Sequence, residues 1–192
     1  MKPKTNRSGK TSKSATYDRC QTPFYAVDPI LPYLKPEWVV WESAAGEGQI
    51  VAKLRVEGFT VLASDILTGT DFFDCSQVRW DVQITNPPYS TKYRWLERSY
   101  QLGKPFALLL PLETLGAAKG QRLFKEYGIE IILLDKRINF KMPNRGYSGS
   151  GAQFPTAWFT WGLGIGRDLT YATIQRYEDG QMNLLEATPA DA

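Results

Sequence analysis

The chain has 192 residues, of which 43% are hydrophobic and 22% charged, values that fit one soluble globular domain with a sizeable core. Histidine is absent, and Cys20 and Cys75 are the only cysteines, which excludes a Cys/His zinc site and every histidine-based catalytic triad. The net charge of +3 is uneven: Lys2, Lys4, Arg7, Lys10, Lys13 and Arg19 against Asp18 give residues 1–19 a charge of +5, leaving −2 for the remainder.

No apolar run approaches the roughly 18 residues that a membrane span requires, and the basic N-terminus lacks the apolar stretch of a secretory signal. Neither a membrane nor a metal is therefore expected as a partner. Two thiols without a signal are expected to stay reduced, in the cytoplasm. Residues 1–16, rich in Ser, Thr and Lys, read as a basic, disordered tail. Such a tail serves either as a solvated leader or as a sequence-independent phosphate contact.

From Asp18 onward, short apolar runs alternate with amphipathic segments. Residues 38–41 predict a first strand, and 49–57 the helix that follows it. Strands are then predicted at 60–64, 82–85, 106–110, 129–134 and 158–161, with helices near 91–102 and 115–126. Strands alternating with helices predict an α/β fold, a mostly parallel sheet covered by helices on both faces. Residues 136–152 predict a long loop of the kind that commonly carries function. A second basic cluster, Lys136, Arg137, Lys141 and Arg145, falls in that loop with Tyr147. The expected organisation is a tail over 1–16, one domain over 17–170 and a C-terminal tail over 171–192.

The most informative stretch is Asn86-Pro87-Pro88-Tyr89, directly after the predicted strand 82–85. Ligands in open α/β sheets bind at such carboxyl strand ends. Two prolines remove two N–H donors and leave their carbonyls as unopposed acceptors. An amide oxygen and a proline carbonyl together accept both hydrogens of an exocyclic amine, and a tyrosine offers a ring for stacking. This is a pocket for a flat, amino-bearing group such as adenine.

Upstream, Glu42-Ser43-Ala44-Ala45-Gly46-Glu47-Gly48 lies between the first strand and its helix. Small residues allow close backbone approach, and Gly46 and Gly48 can take positive φ. The spacing is neither a dinucleotide fingerprint nor a phosphate loop. With Glu42 ahead of it, the turn suits a cationic or zwitterionic ligand. Asp65 follows about 20 residues later, at the end of the second strand, placed to accept ribose hydroxyls. Asp71-Phe72 comes next, its carboxylate within reach of an adenine amine. Taken singly, Asp65 reads equally as a capping residue and Phe72 as core.

These motifs, in this order, resemble the S-adenosylmethionine-dependent methyltransferases that modify adenine N6 in DNA, the compact phage and prophage type in particular. The resemblance spans roughly residues 17–162. It implies a Rossmann-like class I methyltransferase fold, with a seven-stranded, mostly parallel sheet whose last strand, residues 154–162, is antiparallel. It implies cofactor contacts from Thr22, Pro23, Glu42, Ala44, Ala45, Gly46, Gly48, Asp65, Ile66, Asp71 and Phe72. Asn86, Pro87, Pro88 and Tyr89 become the catalytic motif. Phe140, in Arg137-Ile138-Asn139-Phe140, would pack on a flipped base, with Arg137, Lys141, Arg145 and Tyr147 as further substrate contacts.

The implied partner is DNA, with RNA as an alternative, and the oligomeric state is not encoded in these motifs. A methyltransferase of the same fold acting on RNA or on a protein glutamine uses the same kind of pocket. A non-catalytic binding module is the third reading, although a silent descendant has no chemical need for the amide of Asn86. No segment is large enough for a separate target-recognition domain, so the 136–152 loop, the basic tail or a partner would supply recognition.

Overall fold

The computed structural model describes Asp18 and residues 20–74, 79–142, 146–147 and 154–177. The expected tail over 1–16 and Arg145 lie outside these residues. Each predicted apolar run becomes a strand: β1 (Val39–Glu42), β2 (Thr60–Ala63), β3 (Val82–Thr85), β4 (Phe106–Pro111), β5 (Glu130–Leu134) and β8 (Thr156–Trp161). The helices are α1 (Gln49–Val56), α2 (Lys92–Gln101) and α3 (Ala118–Tyr127). The helix predicted near 115–126 divides into a 3₁₀ turn at Leu112–Gly116 and α3, because Ala117 between them is extended, at φ −86° and ψ 137°. Within the predicted loop, β6 (Lys141–Met142) and β7 (Gly146–Tyr147) pair as a short antiparallel ribbon.

Seven strands form one sheet in the order β2-β1-β3-β4-β8-β5-β9, where β9 is Leu169–Ala172. All neighbours are parallel except β8, which runs antiparallel between β4 and β5. The antiparallel strand thus falls within 154–162, as expected, but it is not the last one. β9 follows it and pairs parallel with β5 at the edge, from Ile131↔Leu169 to Leu134↔Ala172. The packed body therefore continues past residue 170, through buried Ile174 and half-buried Tyr177. An edge strand has one neighbour and needs no apolar run; β9 alternates exposed and half-buried residues and is polar enough to pass for a tail.

Alternation of side chains along the strands sends them to two cores. Val40, Ile84, Leu109, Ile132 and Trp158 face α1 and two 3₁₀ turns, Phe24–Ala26 and Asp28–Tyr33, that the sequence pattern did not predict. Leu108, Leu110 and Phe159 face α2 and α3 on the other side. The Trp158 indole N–H donates to the Ala26 carbonyl at 2.8 Å and holds the first turn against the sheet. Buried Lys53 on α1 pairs with Asp28 at 2.8 Å and with Glu57, while the Tyr177 hydroxyl donates to Asp28 at 2.9 Å. These contacts tie both ends of the described chain to α1.

Two aromatic side chains expected at the site are in the core instead. Phe140 is 2% exposed and packs in the same cluster as Ile138 and Trp158, so its ring has no face for a flipped base. Phe72 is equally buried and stacks on Trp95 with ring centroids 4.0 Å apart, in a cluster with Trp41 and Trp80. Burial in an apolar environment outweighs any gain from holding either ring open to water. Phe140→Ala should accordingly cost about 3–5 kcal/mol of stability in urea unfolding. A loss under about 1 kcal/mol would contradict this core assignment.

Candidate active site

The six parallel strands of the sheet end on one rim. Across it, in strand order, stand Asp65 after β2, the 42–48 turn after β1, Asn86 to Tyr89 after β3, Leu112–Gly116 after β4, residues 135–140 after β5, and residues 173–177 after β9. This is the end where open α/β sheets bind ligands.

The glycine turn is built from backbone donors that meet two outside side chains and one outside carbonyl. Gly46 N donates to Asp65 Oδ2 at 2.9 Å, Glu47 N to Gln21 Oε1 at 3.0 Å, and Ala45 N to the Ser64 carbonyl at 3.0 Å. Gly46 has φ +52°, and a Cβ there would meet the Gln21 amide nitrogen at 2.9 Å. The positive φ favours glycine, and any larger residue would have to displace the Gln21 amide that holds Glu47 N. Gly48 at φ +86° opens α1. Buried Thr22 and Pro23 follow Gln21 directly, so the Thr-Pro segment does stand beside the turn.

Glu42 is fully buried at the floor of the turn. Its Oε1 accepts from Ala44 N at 2.9 Å and from the Thr85 hydroxyl, while Oε2 has no partner among the described residues. Burial pushes the carboxyl up to about 8; the Thr85 and Ala44 hydrogen bonds pull down, and nearby Asp65 adds to the rise. A buried, half-satisfied acid has the chemistry to receive a cation.

Asp65 ties the glycine turn to the 3₁₀ turn that follows β2, since its Oδ1 also accepts from Leu67 N at 2.8 Å. It is thus a capping residue and a rim residue at once, and a carboxylate with two N–H partners retains acceptor capacity. Ile66 and Leu67 beside it are 69% and 86% exposed, an apolar shelf with nothing over it among the described residues. The Asp71 carboxylate closes its own turn, accepting from Phe73 N at 2.9 Å.

At the end of β3, Asn86 Oδ1 is buried and without a partner among the described residues, and so is the hydroxyl of Tyr89. Pro87 is buried, Pro88 half-buried, and the Tyr89 ring meets Phe154 edge to face with centroids 5.8 Å apart. Burial raises the Tyr89 phenol well above its ordinary range, with smaller contributions from Cys20 and Asp18, so the ring stays neutral. Asp18 Oδ1 accepts from Ser90 N at 3.1 Å and brings the N-terminal segment against this motif.

The substrate-loop residues divide. Lys141 is carried to the glycine turn: its backbone bridges Gln21 at 2.9 and 3.0 Å, and its ammonium lies 3.7 Å from Glu47. Arg137 is exposed after β5, and Tyr147 pairs with Lys141 in the ribbon. Beneath the site runs a buried polar chain that sequence reading did not find, in which Ser99 donates to Gln83 and Gln83 to Ser43, each at 2.8 Å. Polar residues inside the otherwise apolar β3 were the available signal. Gln21 carried none. Among the described residues, no group of His, Cys, Asp or Glu is arranged to hold a metal, and no helix is long and apolar enough to cross a membrane.

This rim on this sheet defines a Rossmann-like class I methyltransferase fold. The chain superposes on the methyltransferase subunit of a type I restriction-modification system from Streptococcus thermophilus with a TM-score of 0.50, at 14% identity over 92% of its own length. It does so equally on a modification subunit assigned to a type I restriction enzyme, from Vibrio vulnificus, with a TM-score of 0.50 and 13% identity over 92%. The chain spans about half of those proteins, 52% and 53%. No protein-family model and no curated protein sequence matches it.

Proposed function

We propose that this chain is an S-adenosylmethionine-dependent methyltransferase that acts on the exocyclic N6 amine of adenine in DNA. The carrying observation is Asn86 Oδ1, a buried acceptor with no partner at the carboxyl end of β3. A buried carbonyl left unpaired costs about 1–3 kcal/mol, so a partner supplied by the substrate is the physical reason to keep it. The Pro87 carbonyl stands next to it in the chain, while the Pro88 carbonyl is taken by Thr91 N at 3.2 Å.

The residues fit the cofactor on two counts. Glu42 Oε2 is an unpartnered buried carboxyl oxygen, complementary to an ammonium, and Ile66 offers an exposed apolar surface to an adenine ring. Asp65 retains acceptor capacity for ribose hydroxyls, and Thr22, Pro23, Ala44, Ala45, Gly46 and Gly48 line the same turn; Asp71 and Phe72 contribute through the shape of their turn. When bound, S-adenosylmethionine supplies an electrophilic methyl group. The chain supplies orientation. Asn86 Oδ1 and the Pro87 carbonyl accept the two N–H groups of the target amine, which favours a tetrahedral nitrogen whose lone pair is free to attack. Fixing that geometry replaces basic catalysis, with effective molarities of about 10⁵ M in well-oriented cases, and suits a chain without histidine. A duplex adenine must leave the stack to reach this pocket. Tyr89 and Phe154 form the wall against which it rests.

The type I restriction-modification likeness is compatible with a nucleic-acid substrate. The test is transfer of labelled methyl groups to DNA, RNA and protein in parallel, with digestion of the product to nucleosides. Label in N6-methyladenine from DNA is the expected result; label confined to RNA or to glutamine would replace this reading.

A further inference from the structure

The rim carries a second feature beyond the pocket. Residues 135–140 leave β5 and residues 173–177 leave β9, side by side at the far edge of the sheet. They are laced together: Asp135 N donates to the Ala172 carbonyl at 3.0 Å, Ile174 N to Asp135 Oδ1 at 2.8 Å, and the Lys136 ammonium to the Ile174 carbonyl at 3.0 Å. The Arg176 guanidinium donates to the Arg137 carbonyl. Two neighbouring cations, Lys136 and Arg137, thus meet a third from far along the chain, Arg176, on one exposed edge.

Among the described residues their charge is largely uncompensated. Among the described residues no carboxylate forms an ion pair with Arg137 or Arg176, and Lys136 has only Asp135, at 3.9 Å. Asp135 is itself engaged by Ile174 N. Lys136 holds its ammonium on a backbone carbonyl, which leaves its charge and two N–H groups directed outward. Like charges held together by fixed backbone contacts cost free energy unless an anion shares them.

We propose that Lys136, Arg137 and Arg176 form a phosphate-binding edge that grips the backbone of duplex DNA while a base occupies the Asn86–Tyr89 pocket. The inference rests on the nucleic-acid reading of that pocket. β5 lies three strands from β3 and β9 four, or about 14 and 19 Å at ordinary strand spacing. That span covers about four to six phosphates of one DNA strand. The contact is independent of base sequence, because guanidinium and ammonium groups here meet phosphate and not base edges. β9, the strand least evident in the sequence, is what brings Arg176 to the site.

The test compares wild type with Lys136→Gln/Arg176→Gln and with the charge-keeping pair Lys136→Arg/Arg176→Lys. Binding to a fluorescent 24-base-pair duplex is followed by anisotropy between about 50 and 300 mM NaCl. Each lost phosphate contact reduces the slope of log Kd against log salt by about 1. The glutamine pair is expected to lower the slope by about 2 and to weaken binding about tenfold or more at low salt, alike for duplexes of different sequence. The charge-keeping pair is expected to restore the slope. An unchanged slope in the glutamine pair overturns the edge, as does a loss that the charge-keeping pair does not rescue. Wild type that binds duplex with the edge-dependent slope yet methylates no adenine supports the edge and rejects the enzymatic reading. Wild type that binds no DNA rejects both.

Discussion

In Asn86→Ala, methyl transfer to DNA is expected to fall by roughly 10²–10³-fold, or to background, the scale set by removing one preorganised polar contact to a reacting group. Affinity for S-adenosylmethionine should stay within about twofold, since Glu42, Asp65 and the glycine turn are intact. Stability should not fall either. Asn86 Oδ1 is buried and unpaired, so its removal relieves a desolvation penalty and leaves no partner behind. The three readouts together separate a substrate acceptor from a packing residue, which would lose stability first. Calorimetry showing that the variant no longer binds S-adenosylmethionine would move Asn86 to the cofactor side. Undiminished transfer would remove it from the reaction.

Glu42→Gln is expected to weaken S-adenosylmethionine binding on the order of 10²-fold at pH 8, the scale of removing one partner from a buried charge pair. The pH dependence is the sharper test. Burial holds the free carboxyl up at about 8, so at pH 7 it is mostly protonated in the unliganded protein. An ammonium at Oε2 favours the carboxylate, and binding at pH 7 should therefore release close to one proton. Titration calorimetry in buffers of different ionisation enthalpy reads this directly. In wild type the affinity should climb between pH 6 and 8; in Glu42→Gln it should not.

The stability of the unliganded protein follows with a fixed sign. The folded-state value lies above the ordinary 4.5, so the folded chain keeps a proton that the unfolded chain loses. The contribution of Glu42 is therefore neutral below about pH 4.5, falls as pH rises from there to about 8, and is constant above. Glu42→Gln should be more stable than wild type by an amount that grows across that window, reaching a few kcal/mol at most. A difference between the two proteins that is flat with pH would mean that Glu42 is ionised in the free protein and has a partner.

Neither phenylalanine of the motif order, Phe72 or Phe140, presents a ring to the rim. Asp71-Phe72 and Arg137-Ile138-Asn139-Phe140 look alike in sequence whether the phenylalanine faces a base or the interior. Which way it turns depends on Trp95, Trp41 and Trp158, residues far away along the chain. In sequence, Lys141 falls in one basic cluster with Arg137. The bridge to Gln21 separates them and puts Lys141 beside Glu47. Asn86 to Tyr89, by contrast, were legible because strand, breaker and polar side chain follow one another without a gap.

By itself the sequence determined the strands buried on both faces, since an apolar run of four to six residues bounded by breakers has few other solutions. It also determined that the 42–48 turn, Asp65 and Asn86-Pro87-Pro88-Tyr89 share one rim, because parallel strands joined by helices all end on the same side. Only the tertiary structure decided the edge strand β9, the burial of Phe72 and Phe140, the protonation of Glu42, and the meeting of Arg176 with Arg137. Each depends on packing or field contributions from residues distant in the chain, and local pattern carries no record of those.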